Sequence, residues 1–347
     1  MKAWRIHRYG SPSRALELDE VDRPQPAAGQ VLIQVRSLSI NANDIDGCYG
    51  RYKIVKPELP FTAGMELMGV VEGTGPGCEQ WMGKRVIACP SGAMGGFAEY
   101  AVAGEEMVFE APDSLDDVEA GAIFFPYHLA YLSLHTHGKL QSGETLLVHG
   151  ASGGVGSAAI QLGVAAGARV IAVAGGSEKV AHCRAMGAHV VVDHQEEDFA
   201  EAVGRETDGR GVDVVCDLVG GSITQRTFPL VAFQGRHMMT GFVGGIQELD
   251  GGGYPPQPIV MGNFFLGGVL LSYSKDPQLM RKAVGFNAVP REIGEKNHAA
   301  LMALFEKGAI RPPVSRVVEF EDLAAAMEAK EARETMGRVV VRLATSP

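Results

Sequence analysis

The stretch ETLLVHGASGGVGSAAIQLGVAAGARVIAVA, residues 144–174, constrains the fold more than any other part of the chain. A short apolar run, Thr145 to Val148, enters a turn of small residues. A helical pattern follows, with Ile160, Leu162, Val164 and Ala165 among its buried candidates, and a second apolar run, Arg169 to Ala174, closes the unit. A strand, a tight turn, a helix and a parallel strand within about 30 residues form a βαβ unit. Ala151, Gly153 and Gly156 carry the spacing of the dinucleotide-binding fingerprint, with Ala in the first glycine position. Gly153 and Gly154 let the backbone approach a pyrophosphate, and Gly156 lets the helix pack close to the strand. Ser152, Gly153, Gly154 and Val155 therefore form the candidate phosphate cradle, where a helix N-terminus offers free N–H groups and a positive dipole end. A lone glycine pattern also describes a turn that binds nothing; here it follows a strand and opens a helix, as the motif requires.

At 347 residues the chain is long for one hydrophobic core, which predicts two domains. Forty-one acids against thirty-one bases leave a formal charge of −10, which argues against nucleic acid or an anionic membrane as partner. The five cysteines are scattered and form no C-x-x-C pair, as expected of free thiols in a reducing cytosol. The opening MKAWRIHRYG has no apolar signal core, and no run approaches the roughly 20 apolar residues of a membrane span. The expectation is a cytoplasmic protein.

Residues 1 to 40 read as short strands broken by Pro and Gly; Val31, Ile33 and Val35 alternate with Gln34 and Arg36 as in a half-buried strand. Gly69–Glu72, Lys84–Ala88 and Phe97–Val102 add further strands, so the N-terminal third predicts a barrel-like or sandwich-like β domain. Helical patterns cover Asp116–Phe124 and about Pro126–His137. From there strands and helices alternate, with strands at Thr145–Val148, Val170–Val173, Val190–Val192, Val212–Asp217, Arg236–Met239 and Gly268–Ser272, the two halves of a doubly wound parallel sheet. Lys296–Lys307 and Glu321–Lys330 are helical, and a final strand, Arg338 to Leu343, needs a sheet to join. The N-terminal β domain is its expected partner, making that domain discontinuous: 1–125 and 275–347 around a nucleotide-binding domain at 126–274. Asp250 to Pro258 reads as a surface loop.

Several segments in one colinear order are NANDIDGCYGRY (41–52), AGMELMGVVEGTG (63–75), GKRV (83–86), GGFAEY (95–100), VHGASGGVG (148–156) and GVDVVCDLVGG (211–221). Together they resemble the zinc-independent quinone oxidoreductase branch of the medium-chain dehydrogenase/reductase superfamily. The resemblance implies an α/β fold, with a Rossmann domain inserted in a GroES-like β-barrel-type domain and an active site in the cleft between them. Where the superfamily's alcohol dehydrogenases hold catalytic zinc with Cys, His and Cys, this chain has Asn41, Met65 and Phe125. These cannot replace thiolate or imidazole. The structural-zinc lobe should fall between Val86 and Gly95, where only Cys89 stands, so no metal is expected. Without a Lewis acid the hydride should go to an acceptor that is already electrophilic, a quinone or a related enone. A 2-alkenal or enoyl-thioester reductase is the alternative within this class, and a non-catalytic NADPH-binding protein the alternative outside it.

The cofactor expected is NADPH. An NAD enzyme carries an acid at the end of the second strand, but this chain reads Ala174-Gly175-Gly176-Ser177-Glu178-Lys179. The resemblance implies phosphate contacts for Ser177 and Lys179 beside Gly175, adenosine stacking for His194 and a further phosphate contact for Arg333; a solvated surface charge is the alternative for Lys179 and for Arg333. It also implies nicotinamide contacts from Leu218, Val219, Gly241, Phe242 and Val243, and a ribose or substrate hydrogen bond from Asn41. Asp44 either shapes the wall of the site or forms an Asx-turn. Tyr52 is a candidate proton donor or an aromatic contact, and His128 a candidate acid or a packed core histidine. Asp46 and Cys48 depart from the aromatic and basic residues many quinone reductases carry there, which puts quinone itself in question as acceptor. The apolar run Phe264 to Tyr273 at a sheet edge predicts a homodimer through that edge, or a covering loop.

Overall fold

The computed structural model describes residues 1–51, 57–244 and 253–344. The chain divides into two compact units: 1–125, 272–302 and 312–347 in one, 126–271 and 303–311 in the other. Residues 303–311 thus return to the second unit, although the sequence pattern groups them with the first.

The second unit is built on a six-stranded sheet. In chain order its strands are Thr145–His149, Arg169–Ala174, Val190–Asp193, Val212–Asp217, Val231–Met239 and Phe265–Gly268. In space they run third, second, first, fourth, fifth, sixth, and every pairing is parallel. This is the doubly wound Rossmann order, whose reversal point lies between the first and fourth strands. The central strands read as unbroken apolar runs because helices cover both faces of such a sheet; all five residues of Thr145–His149 are buried. Chain direction then puts the loops that follow these strands along one edge, where such folds bind ligands.

Three local expectations are corrected. Of the loop expected over Asp250–Pro258, residues 250–252 lie outside the described residues and Pro256 opens the helix Pro256–Gly262, which Pro255 and Pro256 suit by their fixed φ at a helix start. The sixth strand is Phe265–Gly268, not Gly268–Ser272. Asn263 ends the preceding helix in the left-handed region (φ 50°), and its carbonyl accepts from Gln234 N at 2.9 Å, so pairing starts early. Gly267 lies inside the strand, where a Cβ would lie 2.4 Å from Met238 Cε and the end of that side chain would have to move aside. The helical pattern from Asp116 is also divided: Asp117–Ala120 is one turn, Phe124–Tyr131 a second helix, and Leu132–His137 continues it as a π-helical turn. Gly121 marks the break, pressed so closely on Ser37 that a Cβ would lie 2.2 Å from its Oγ.

The first unit holds a seven-stranded sheet whose longest member is Gln30–Ser39. Leu67–Thr74 and Tyr100–Gly104 pair with it antiparallel, and so does the C-terminal strand Arg338–Arg342, in the register Val340↔Ser39 and Val341↔Leu38. The terminal strand therefore finds its sheet across almost the full chain length. Ile33, Val35, Leu38, Leu67, Val71, Val339 and Val341 share one buried core, which explains the alternation read in 31–36. A three-stranded sheet (Leu16–Glu20, Lys2–Ile6, Phe61–Thr62) lies beside it, joined by a bridge between Ala3 and Ala98. The late helices are Arg291–Glu306 and Leu323–Glu331. All five cysteines are free and buried. No helix among the described residues is long and apolar enough to cross a membrane.

Candidate functional site

At the C-terminal end of the first parallel strand the chain turns through Gly150–Gly153 into the Gly154–Ala165 helix. Gly156 is needed by the protein itself: a Cβ there would lie 2.4 Å from Gly150 O and 2.6 Å from Ala151 Cα. Gly153 differs, because its Cβ would meet nothing closer than Gly150 O at 3.6 Å. The bare backbone at Gly153 is thus open space, not internal packing, and it caps a helix with no side-chain cap. The first-turn N–H groups of such a helix have no carbonyl behind them. Ser152, Gly153, Gly154 and Val155 are all partly exposed and present this cradle together.

The second strand ends at Ala174, and Gly176, with φ 90°, opens the Ser177–Ala185 helix. An acid does stand nearby, but it faces the backbone. Asp193, ending the third strand, accepts from Gly176 N at 2.9 Å and Gln195 N at 3.0 Å. The Gly176 bond first, then that from Gln195, holds its pKa below the ordinary carboxylate range. His194 lies over Gly175, where a Cβ would be 2.5 Å from its Nε2. Ser177 is exposed, Lys179 is partly exposed, and neither has an ion pair among the described residues. Gly175, Ser177, Lys179 and His194 therefore surround one turn. Arg333 belongs to the first unit, where it is exposed and left-handed (φ 61°) after the Leu323–Glu331 helix.

On the other side of the reversal point, the loops after the fourth and fifth strands are joined. The Asp217 carbonyl accepts from Thr240 N at 2.7 Å and Gly241 N at 3.1 Å; Leu218 O accepts from Val243 N at 3.1 Å and Val219 O from Gly244 N at 2.9 Å. Leu218 is buried, whereas Phe242 and Val243 are exposed. Ser133, on the π-helical turn, donates to Thr240 Oγ1 at 2.9 Å, because that hydroxyl gives its own proton to Met238 O. His128, earlier on the same helix, is 1% exposed.

In the first unit the three positions that would carry zinc ligands gather around Glu66. Asn41 Nδ2 donates to Glu66 Oε2 at 3.1 Å, Phe125 N donates to Glu66 Oε1 at 2.9 Å, and Met65 is the preceding residue. Arg338 donates to the same carboxylate and, at 2.9 Å, to Asn41 Oδ1. The Asn41 amide is thus engaged on both sides within the protein. Asp44 accepts from Asn41 N at 2.7 Å. Glu66, Arg338, Asn41 and Asp44 are all buried. Burial pushes the Asp44 pKa up to about 7, reinforced by Glu66 and opposed by the Asn41 N–H and Arg338. Burial raises Glu66 as well, against the pull of Arg338. Lys330 is pushed down to about 8 by burial and then by Arg338. An amide with both ends bonded, a thioether and a phenyl ring do not make a zinc site. Tyr52 lies outside the described residues.

Sequence reasoning did not assign roles to Glu66, Arg338, Asp193 or Asp217. Each is a charge set in or ending an apolar run (GMELMGV, RVVVR, VVVD, VVCD), and that placement is the signal that could have found them.

The parallel sheet with its glycine turn, and a β unit closed by the terminal strand, define the medium-chain dehydrogenase/reductase architecture. Two family models match the chain, the alcohol dehydrogenase GroES-like domain over residues 27–113 and the zinc-binding dehydrogenase over 154–285. The quinone oxidoreductase of Sus scrofa is 32% identical over 329 residues, spanning 94% of this chain and 93% of that protein. Among solved structures, mycobacterial Rv1454c complexed with NADPH is 28% identical with a TM-score of 0.81, covering 99% of each chain. A probable oxidoreductase from Mycobacterium abscessus gives the same identity, TM-score and coverage. The chain belongs to the quinone oxidoreductase family of the medium-chain superfamily.

The raised Asp44 value makes a stability prediction. The folded state keeps a proton that the unfolded chain releases near 3.8, so the stabilisation is complete below that pH and lost as pH rises through about 7. Asp44→Asn keeps an acceptor for Asn41 N–H and removes the titration. In urea denaturation it should match wild type at low pH and exceed it at pH 8, by on the order of a few kcal/mol. A difference independent of pH would show that Asp44 does not titrate in this window.

Proposed function

We propose that the protein is an NADPH-dependent reductase that delivers hydride to a quinone or related activated enone without catalytic zinc. The observation that carries the reading is the turn after the second strand. Its nearby acid, Asp193, is spent on Gly176 N, which leaves the first-turn N–H groups, Ser177 and Lys179 turned to an anion rather than to a ribose diol. The family membership and the NADPH complex of mycobacterial Rv1454c support the same assignment.

Ser152, Gly153, Gly154 and Val155 would hold the pyrophosphate, with the space beside Gly153 left for it. Gly175, Ser177, Lys179 and His194 would hold the phosphorylated adenosine; Leu218, Val219, Gly241, Phe242 and Val243 would flank the nicotinamide. When bound, NADPH supplies the hydride. The chain's own residues orient the reactants and exclude water. No step runs through zinc, since Asn41, Met65 and Phe125 lack its donors. Asn41 serves in this reading by fixing Glu66 and Arg338. Tyr52 and His128 remain the candidate proton donors.

Activity should appear as NADPH oxidation with 1,4-benzoquinone or 9,10-phenanthrenequinone and survive a zinc chelator. Crotonyl-CoA or an alkenal as the sole productive acceptor would move the assignment to the thioester or alkenal class, and no oxidation with any acceptor would leave a binding protein. Lys179→Ala should weaken NADPH by roughly tenfold to a hundredfold, the loss of one charged hydrogen bond, and leave NADH unchanged. Equal weakening of both cofactors would remove the phosphate role.

His128→Ala tests the candidate acid. A role in proton donation requires a fall in turnover together with a changed pH profile; a packing role lowers thermal stability and leaves the profile intact.

A homodimer through the sixth strand also belongs to this reading. That strand is the sheet edge, and Phe265 on it is 65% exposed, with Phe233, Val260 and Met261 exposed on neighbouring segments. An uncovered apolar edge favours pairing. Sedimentation should give a dimer for wild type and a monomer for Phe265→Glu; a monomeric wild type at micromolar concentration refutes the dimer.

A further inference from the structure

Asp217 ends the fourth parallel strand and is fully buried. A carboxylate in such a place is tolerated only where donors meet each oxygen. Its Oδ1 accepts from Val219 N at 2.9 Å and Gly220 N at 3.0 Å. Its Oδ2 accepts from the Thr224 hydroxyl and from His237 Nε2 at 3.1 Å. Burial alone would raise its pKa, but the His237 bond, the nearby His149 and the Thr224 bond outweigh it and hold Asp217 ionised.

The four donors come from three places. Val219 and Gly220 lie in the loop after the fourth strand, and Thr224 lies in the helix that follows it. His237 lies on the fifth strand, with its Nε2 the protonated nitrogen because a carboxylate can only accept. His237 Nδ1 is buried without a partner among the described residues, so the ring has no second bond to fall back on. The backbone carbonyl of Asp217 itself accepts from Thr240 N and Gly241 N, and Leu218 O and Val219 O carry the joined strand-end loop on to Gly244 by accepting from Val243 N and Gly244 N. Gly220 has φ 80° and ψ −170°, and Gly241 sits so close that a Cβ would be 3.0 Å from Leu218 O. One buried residue therefore sets both loops on this side of the reversal point.

The glycine turn takes the pyrophosphate, and the second-strand turn takes the adenosine, so the other half of a dinucleotide must extend over the fourth and fifth strand ends. We propose that Asp217 is the positioning residue for the nicotinamide half of the cofactor site, acting through the Leu218–Gly220 and Thr240–Gly244 loops, with Thr224 and His237 fixing its carboxylate. This rests on the NADPH reading given above and adds the residue that shapes the reactive end.

The test separates the two halves of the ligand. Wild type, Asp217→Asn and the milder Thr224→Val are compared for NADPH affinity, 2′,5′-ADP affinity and kcat with a quinone. An asparagine presents N–H₂ where Thr224 and His237 also donate; His237 can switch to accept only by placing a proton on Nδ1, which has no partner. Asp217→Asn should weaken NADPH by on the order of tenfold or more and lower kcat, while 2′,5′-ADP binding stays within about twofold; Thr224→Val should fall between. Amide exchange without ligand should show lost protection at 218–220 and 240–244, with 145–149 unchanged. Unaltered NADPH affinity, kcat and exchange in both variants overturn the assignment. Parallel loss of NADPH and 2′,5′-ADP binding in Thr224→Val also overturns it, as the mark of general destabilisation. Wild type that binds neither ligand refutes the NADPH reading itself; intact exchange protection in Asp217→Asn refutes the Asp217 role whatever the cofactor.

Discussion

A carboxylate withdrawn from water must be met by donors, and much of this protein's local shape follows from that requirement. Glu66 gathers Asn41, Phe125 N and Arg338 within the first unit. Asp217 gathers backbone N–H groups, a hydroxyl and an imidazole within the second. Asp193, less enclosed, does the same for the turn after the second strand. In each case the bond runs to a loop or a strand end. The sheets thus hold the acids, and the acids hold the loops and strand ends beside them.

The Glu66 cluster joins the positions 41, 65–66 and 125 within the first unit. Arg338 arrives on the last strand and meets an acid set by residues 65–66, so the two ends of the chain are tied by a buried charge pair as well as by backbone pairing. Such a pair is costly to break, because each partner left alone would be a buried, uncompensated charge. Asn41 sits between them with both amide atoms used. Asn41 is therefore part of a buried hydrogen-bonded cluster, in which Arg338 Nε alone of the guanidinium nitrogens has no partner among the described residues.

How much was legible in the sequence varies with the range of the interaction. The strand–turn–helix unit from Thr145 was readable because its signals are local: apolar runs, small turn residues and a helical period. Five of the six parallel strands follow from the same patterns. The sixth was expected at Gly268–Ser272 but pairs as Phe265–Gly268 with Arg236–Met239, a register set by the neighbouring strand and not by the local apolar run. The division of the helix near Gly121 has the same origin, since the crowding comes from Ser37, far away in sequence. The cofactor turn was legible as the lack of an acid after Ala174, but the part played by Asp193 was not, because it depends on a bond between two strand ends.

Residue identity and short-range periodicity were enough for the nucleotide-binding unit and for the expectation of a second β domain. The tertiary structure decided what the buried charges do: that Asn41 is occupied by Glu66 and Arg338, that Asp193 faces the backbone, and that Asp217 joins two loops. Each of these roles includes a donor brought from 17 to nearly 300 positions away, and no local pattern encodes which donor will arrive at a buried oxygen.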